Sequence, residues 1–65
     1  MRLGRYESRP VPALGDDQWE VVVEDSTQET GRRRIAVLGK AAAEGEVVRK
    51  HTADLFGSEY VSPQP

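Results

Sequence analysis

The chain has 65 residues, with nine lysines and arginines against eleven aspartates and glutamates, one histidine and no cysteine. That length allows one domain at most, the missing thiols exclude disulfides and thiolate metal sites, and a net charge of −2 argues against a surface built throughout to neutralise phosphates. No apolar run approaches the ~20 residues of a spanning helix, and residues 1–10 lack the apolar stretch of a signal peptide, so a cytoplasmic protein is expected.

Residues 2–9, "RLGRYESR", form a candidate first strand, although simple alternation sets Leu3 and Tyr6 on opposite faces. Residues 10–17, "PVPALGDD", combine two prolines, a glycine and two aspartates, the composition of a loop. "QWEVVVE" at 18–24 is the clearest strand, with Trp19, Val21 and Val23 on one face and Glu20, Val22 and Glu24 on the other. The polar "DSTQETG" at 25–31 reads as a hairpin connection. "RRRIAVL" at 32–38 is the return strand, which uniform alternation divides into Arg33, Ile35 and Val37 against Arg32, Arg34, Ala36 and Leu38.

After Gly39 the period changes. Ala41, Gly45, Val48, Thr52, Leu55 and Phe56 make one stripe of an α-helix, which predicts the face turned to the sheet. Gly57 stands where a left-handed C-cap is wanted. The fold class is therefore α+β, an antiparallel β-hairpin with a candidate third strand, packed on one C-terminal α-helix. Residues 1–57 make the single small domain and residues 58–65 an extended tail. Trp19 is expected to be the largest buried side chain, with Gly45 letting the helix approach it.

The Arg32-Arg33-Arg34 triplet admits two readings. In one, Arg32 and Arg34 face Glu20 and Glu24 across the hairpin as ordinary cross-strand ion pairs, and Arg33 extends outward over Val23. In the other, the triplet grips a phosphate or carboxylate, against which the two glutamates on the same face would work. No catalytic, cofactor-binding or metal-ligating set is visible. His51 has no nucleophile or orienting group beside it in sequence, Asp16 and Asp17 follow a glycine as turn formers do, and "GKAAAEG" lacks the spacing of a phosphate loop. A cofactor and a small-molecule substrate are not expected.

Uniform alternation also predicts an apolar strip of Val22, Ala36 and Leu38 on the helix-free face, rimmed by Glu20, Glu24, Arg32 and Arg34. An apolar centre with a charged rim suits a protein interface. A core this small sits near the limit of independent folding, so the strip is expected to be covered by a second copy or another protein.

Over Trp19 to Phe56, "WEVVVED…TGRRRIAVLGKAAAEGEV" resembles small β-β-α proteins of unknown function from actinobacteria and their phages. In layout it is also similar to the arm-type DNA-binding domain of tyrosine recombinases, where Trp19 and the Gly31-Arg32-Arg33-Arg34 run match the hairpin. The second resemblance implies that Arg32 and Arg34 face DNA; Glu20 and Glu24 on that face depart from it. The leading expectation is a small non-enzymatic protein-binding module, such as a phage or accessory modulator of a host protein. The alternative is a DNA-binding protein using the hairpin face.

Overall fold

The computed structural model describes residues 1–57. The elements are β1 (Arg2–Leu3), β2 (Tyr6–Pro10), a 3-10 turn (Pro12–Leu14), β3 (Trp19–Glu24), β4 (Arg32–Leu38) and α1 (Lys40–Leu55). All strand pairs are antiparallel and run in the order β1-β2-β3-β4, with α1 against one face. The α+β hairpin-and-helix plan is present, with four strands. The tail expected over 58–65 lies outside the described residues.

The N-terminal segment holds two strands because the chain reverses at Gly4, whose φ of 58° lies in the left-handed region that glycine enters without a Cβ clash. The reversal sets Leu3 opposite Tyr6, and both pack on the core from the helix side. That resolves the inconsistent alternation of the sequence. Gly4 is also a close approach, since a Cβ there would lie 2.7 Å from His51 Nδ1.

The β-branched run Val21-Val22-Val23 is stiff and extended, and β3 becomes a central strand paired on both sides. Between β3 and β4 the register slips: Val21 is opposite Ala36, but Val22 is opposite Arg34, which leaves Ile35 as an extra residue. Such a bulge moves the side-chain alternation by one. Arg32 and Arg34 stay on the helix-free face, but Ala36 and Leu38 pack against the core with Ile35. Val37 instead lies opposite Glu20. The expected strip of Val22, Ala36 and Leu38 therefore does not form.

The helix begins at Gly39, whose own side chain can supply no cap. Asp17 from the preceding loop supplies one, its Oδ1 accepting the Lys40 backbone N–H at 3.0 Å. The fit depends on glycine, because a Cβ on Gly39 would lie 2.7 Å from Asp17 Oδ2. At the other end, Gly57 takes φ 78° and its N–H reaches Asp54 O at 3.1 Å, as a left-handed cap does.

The face of α1 against the sheet is not the expected one. Ala43 and Val47 are fully buried, whereas Val48, Leu55 and Phe56 are 43%, 68% and 79% exposed. The helix carries two apolar stripes, and the sheet takes the shorter. Its polar continuation is accommodated by β1 and β2: His51 rests on Gly4, Asp54 Oδ1 accepts the Tyr6 hydroxyl at 3.3 Å, and Arg5 lies 3.8 Å from Asp54 Oδ2. Gly45 points outward, with nothing among the described residues within 4 Å of an added Cβ. Trp19 is half-buried at the margin of the core, with the Lys40 ammonium 5.7 Å from its ring centroid. The largest fully buried side chains are Val21 and Val47.

The core thus consists of Tyr6, Val21, Val23, Ala43 and Val47, closed at its margins by Leu3, Trp19, Ile35, Ala36 and Leu38. Ser8, opposite Val21, is also buried, and its hydroxyl has no hydrogen-bond partner among the described residues.

Candidate functional site

Two surfaces remain for function, the charged face of the sheet and the outward face of the helix. On the sheet, rows of β2, β3 and β4 bring together Glu7, Val22 and Arg34, and Arg9, Glu20 and Val37. Glu20 is the hub. Arg9 donates to its Oε2 through Nη2 at 2.6 Å and Nε at 3.1 Å, and Arg34 Nε donates to its Oε1 at 3.0 Å. Burial pushes the Glu20 carboxyl upward in pKa, but the hydrogen bonds and charges of the two arginines outweigh it, and the net direction is downward.

The three arginines of the triplet have different surroundings. Arg34 is held by Glu20. Arg33, opposite Val23 on the helix side, extends to the loop, where its Nε donates to Asp25 Oδ2 at 3.0 Å. Asp25 is also bonded by the Thr27 hydroxyl and backbone N–H, which lower its pKa ahead of the contribution of Arg33. The Arg32 side chain makes no ion pair or hydrogen bond among the described residues. Its register partner Glu24 instead accepts from Arg2 Nη2 at 3.1 Å. β1 brings in that competitor, which the sequence pattern had not separated from β2.

Val22 explains how this face is closed without a second layer. It is only 4% exposed although no helix covers it. It floors two open depressions, one bordered by Arg2, Glu7 and Glu24, the other by Arg9, Glu20, Arg32 and Arg34. The long side chains lay their methylenes over the valine and keep their charges in water. Of the predicted partner-binding residues, Val22, Glu20, Glu24, Arg32 and Arg34 share this face, and Ala36 and Leu38 lie on the other.

The outward face of α1 was missed as a surface because its stripe was assigned to the core. Ala41, Gly45, Val48, Thr52, Leu55 and Phe56 are all exposed, opposite the buried Ala43 and Val47. The missed signal was the second, shorter stripe. Ala43, Val47, Lys50 and Asp54 follow helical spacing too, with polar residues that β1 and β2 can satisfy.

Among the described residues no group of three or more histidines, aspartates or glutamates could hold a metal ion. Nor is any helix among them long and apolar enough to cross a membrane. No protein-family model, curated protein or solved structure matches the chain.

Proposed function

We propose that this chain is a small non-enzymatic protein-binding module that works through the outward face of α1. The observation that supports the reading is the exposure of Val48, Leu55 and Phe56 beside a core cluster that, among the described residues, has five buried side chains. Such a chain gains by burying its apolar surface, and these three large apolar side chains lie on or beside one helical stripe. An amphipathic helix presenting spaced anchors is a recurring mode of protein recognition. The test is cross-linking in the producing cell, comparing wild type with a Val48→Glu, Leu55→Glu variant. The reading predicts that a specific cross-linked species disappears in the variant while the circular dichroism and thermal transition are retained. An unchanged cross-linking pattern overturns it.

A second reading, DNA binding through the charged sheet face, is favoured by one observation, the Arg32 guanidinium without a carboxylate partner among the described residues. Against it, Arg9 and Arg34 are already held by Glu20, and Arg2 by Glu24. A salt titration separates the two readings, because phosphate-driven binding weakens steeply as salt rises and an apolar-centred interface does not.

A further inference from the structure

The spacing of the outward stripe is more specific than general amphipathicity. Ala41, Gly45, Val48, Thr52 and Leu55 follow one another at intervals of four, three, four and three residues, and all five are exposed. That is an uninterrupted a/d seam, with Gly45 and Thr52 at a and Ala41, Val48 and Leu55 at d. The seam lies on the outward side of α1, away from the buried Ala43 and Val47.

Two further features bear on which helix would pack there. The first is charge. In this register Glu44 is a g position and Arg49 the following e position. A parallel two-stranded pair brings g of one helix to e of the other, so two copies would make two Glu44–Arg49 ion pairs related by symmetry. An antiparallel pair would bring Arg49 against its own copy, and like charges repel. Glu44 has no ion pair among the described residues. Arg49 holds Glu46 at 2.7 Å, and a guanidinium can serve two carboxylates because its five donors fan out in one plane. The second feature is Gly45. A mid-helix glycine is unfavourable relative to alanine, and here nothing among the described residues comes within 4 Å of an added Cβ. Close approach of a second backbone at the centre of the seam uses that missing side chain.

We infer that the partner of the outward helix face is a second copy of this chain, paired in parallel through Ala41, Gly45, Val48, Thr52 and Leu55 with Glu44 and Arg49 bridging the copies. The inference rests on the reading of that face as a protein-binding surface. Two four-turn helices bury on the order of 1,000 Å² in total, the small end of specific interfaces, so the dimer is a weak, reversible one. Both sheets stay outermost.

Sedimentation equilibrium of the full chain from roughly 10 µM to 1 mM, the range in which weak complexes associate, tests it. The expected result is a mass rising from one chain toward two, with Val48→Glu remaining monomeric and folded. Glu44→Lys should weaken the dimer about tenfold, one interfacial ion pair per copy being reversed, and adding Arg49→Glu to the same chain should restore it. Orientation is read separately. The chain has no cysteine, so Ala41→Cys alone should oxidise to a covalent dimer if the helices are parallel. In an antiparallel pair, Ala41→Cys would couple instead with Leu55→Cys in a mixture of the two variants. A wild type that stays monomeric at the highest concentration, or coupling only in the mixture, overturns the inference. Monomeric wild type together with loss of a different cross-linked protein in Val48→Glu, Leu55→Glu removes self-pairing alone. Monomeric wild type with no such loss removes the protein-binding reading as well.

Discussion

The carboxylate of Asp17 caps a helix whose first residue is 23 positions away: Oδ1 accepts the Lys40 backbone N–H at 3.0 Å, while Gly39 keeps the space that Oδ2 occupies. The loop before β3 is thereby fastened to the start of α1. Asp17→Ala should destabilise the fold by about 1 kcal/mol, the usual cost of a lost cap. Asp17→Asn should recover most of that. Gly39→Ala should cost at least as much as Asp17→Ala, because its Cβ displaces the carboxylate. Urea titration of the three variants is the measurement.

Val47 and Val48 are neighbours in sequence with opposite surroundings, 0% and 43% exposed. Val47→Ala should cost about 2 kcal/mol, from lost burial and an imperfectly closed cavity. Val48→Ala should change monomer stability by less than about 0.5 kcal/mol, as exposed positions do. Equal effects in a thermal melt at low concentration would contradict the observed face of the helix.

Ser8 carries a buried hydroxyl with no partner among the described residues. Ser8→Ala removes the group rather than its bond, so it should stabilise the fold by about 1 kcal/mol, part of the desolvation cost of an unsatisfied polar atom. A shift of the urea midpoint to lower concentration would mean that the hydroxyl is satisfied in solution.

Glu20 links stability to pH. Its carboxyl is held below the ordinary glutamate value of 4.5, so the unfolded chain binds that proton more tightly than the folded one. The stabilisation is therefore complete above the unfolded value and is lost as pH falls through the lower folded value. Glu20→Gln should destabilise by about 1 kcal/mol near neutrality, a figure reduced for the exposure of Arg9 and Arg34. The difference from wild type should shrink as pH drops below about 4.5, as read from urea midpoints at a series of pH values.

The strand-forming valines, the hairpin, the helix bounds and the Gly57 cap were legible because each depends on local composition. The faces were not, for two physical reasons. Ile35 occupies a bulge, and a single extra residue inverts every later assignment on β4, so Ala36 and Leu38 were placed on the wrong side. On α1, two stripes compete, and apolar content alone favours the one with Leu55 and Phe56. The sheet chose Ala43 and Val47, whose small side chains let the helix settle while Asp54 accepts from Tyr6. The partner of Glu24 was hidden by the turn at Gly4, which brings Arg2 beside β2. The shared face of Glu20 and Arg34 was readable from alternation, since β3 keeps its alternation throughout and Arg34 precedes the extra residue on β4, but their pairing reaches diagonally across the bulge, with Val37 and not Arg34 in register with Glu20.

The bulge also governs how the molecule behaves when crowded. β4 is one of the two edge strands of the sheet, seven residues long and free of proline, and such an edge can seed the stacking of strands from other molecules. A regular extended segment laid along it would match the faces of Arg32 to Arg34 and then fall out of phase at Ile35, losing hydrogen bonds or setting arginine against apolar groups. The same irregularity that turns Leu38 toward the core makes β4 a poor template for fibril growth. Deleting Ile35 would straighten the edge, and its first consequence should be precipitation in concentrated solution.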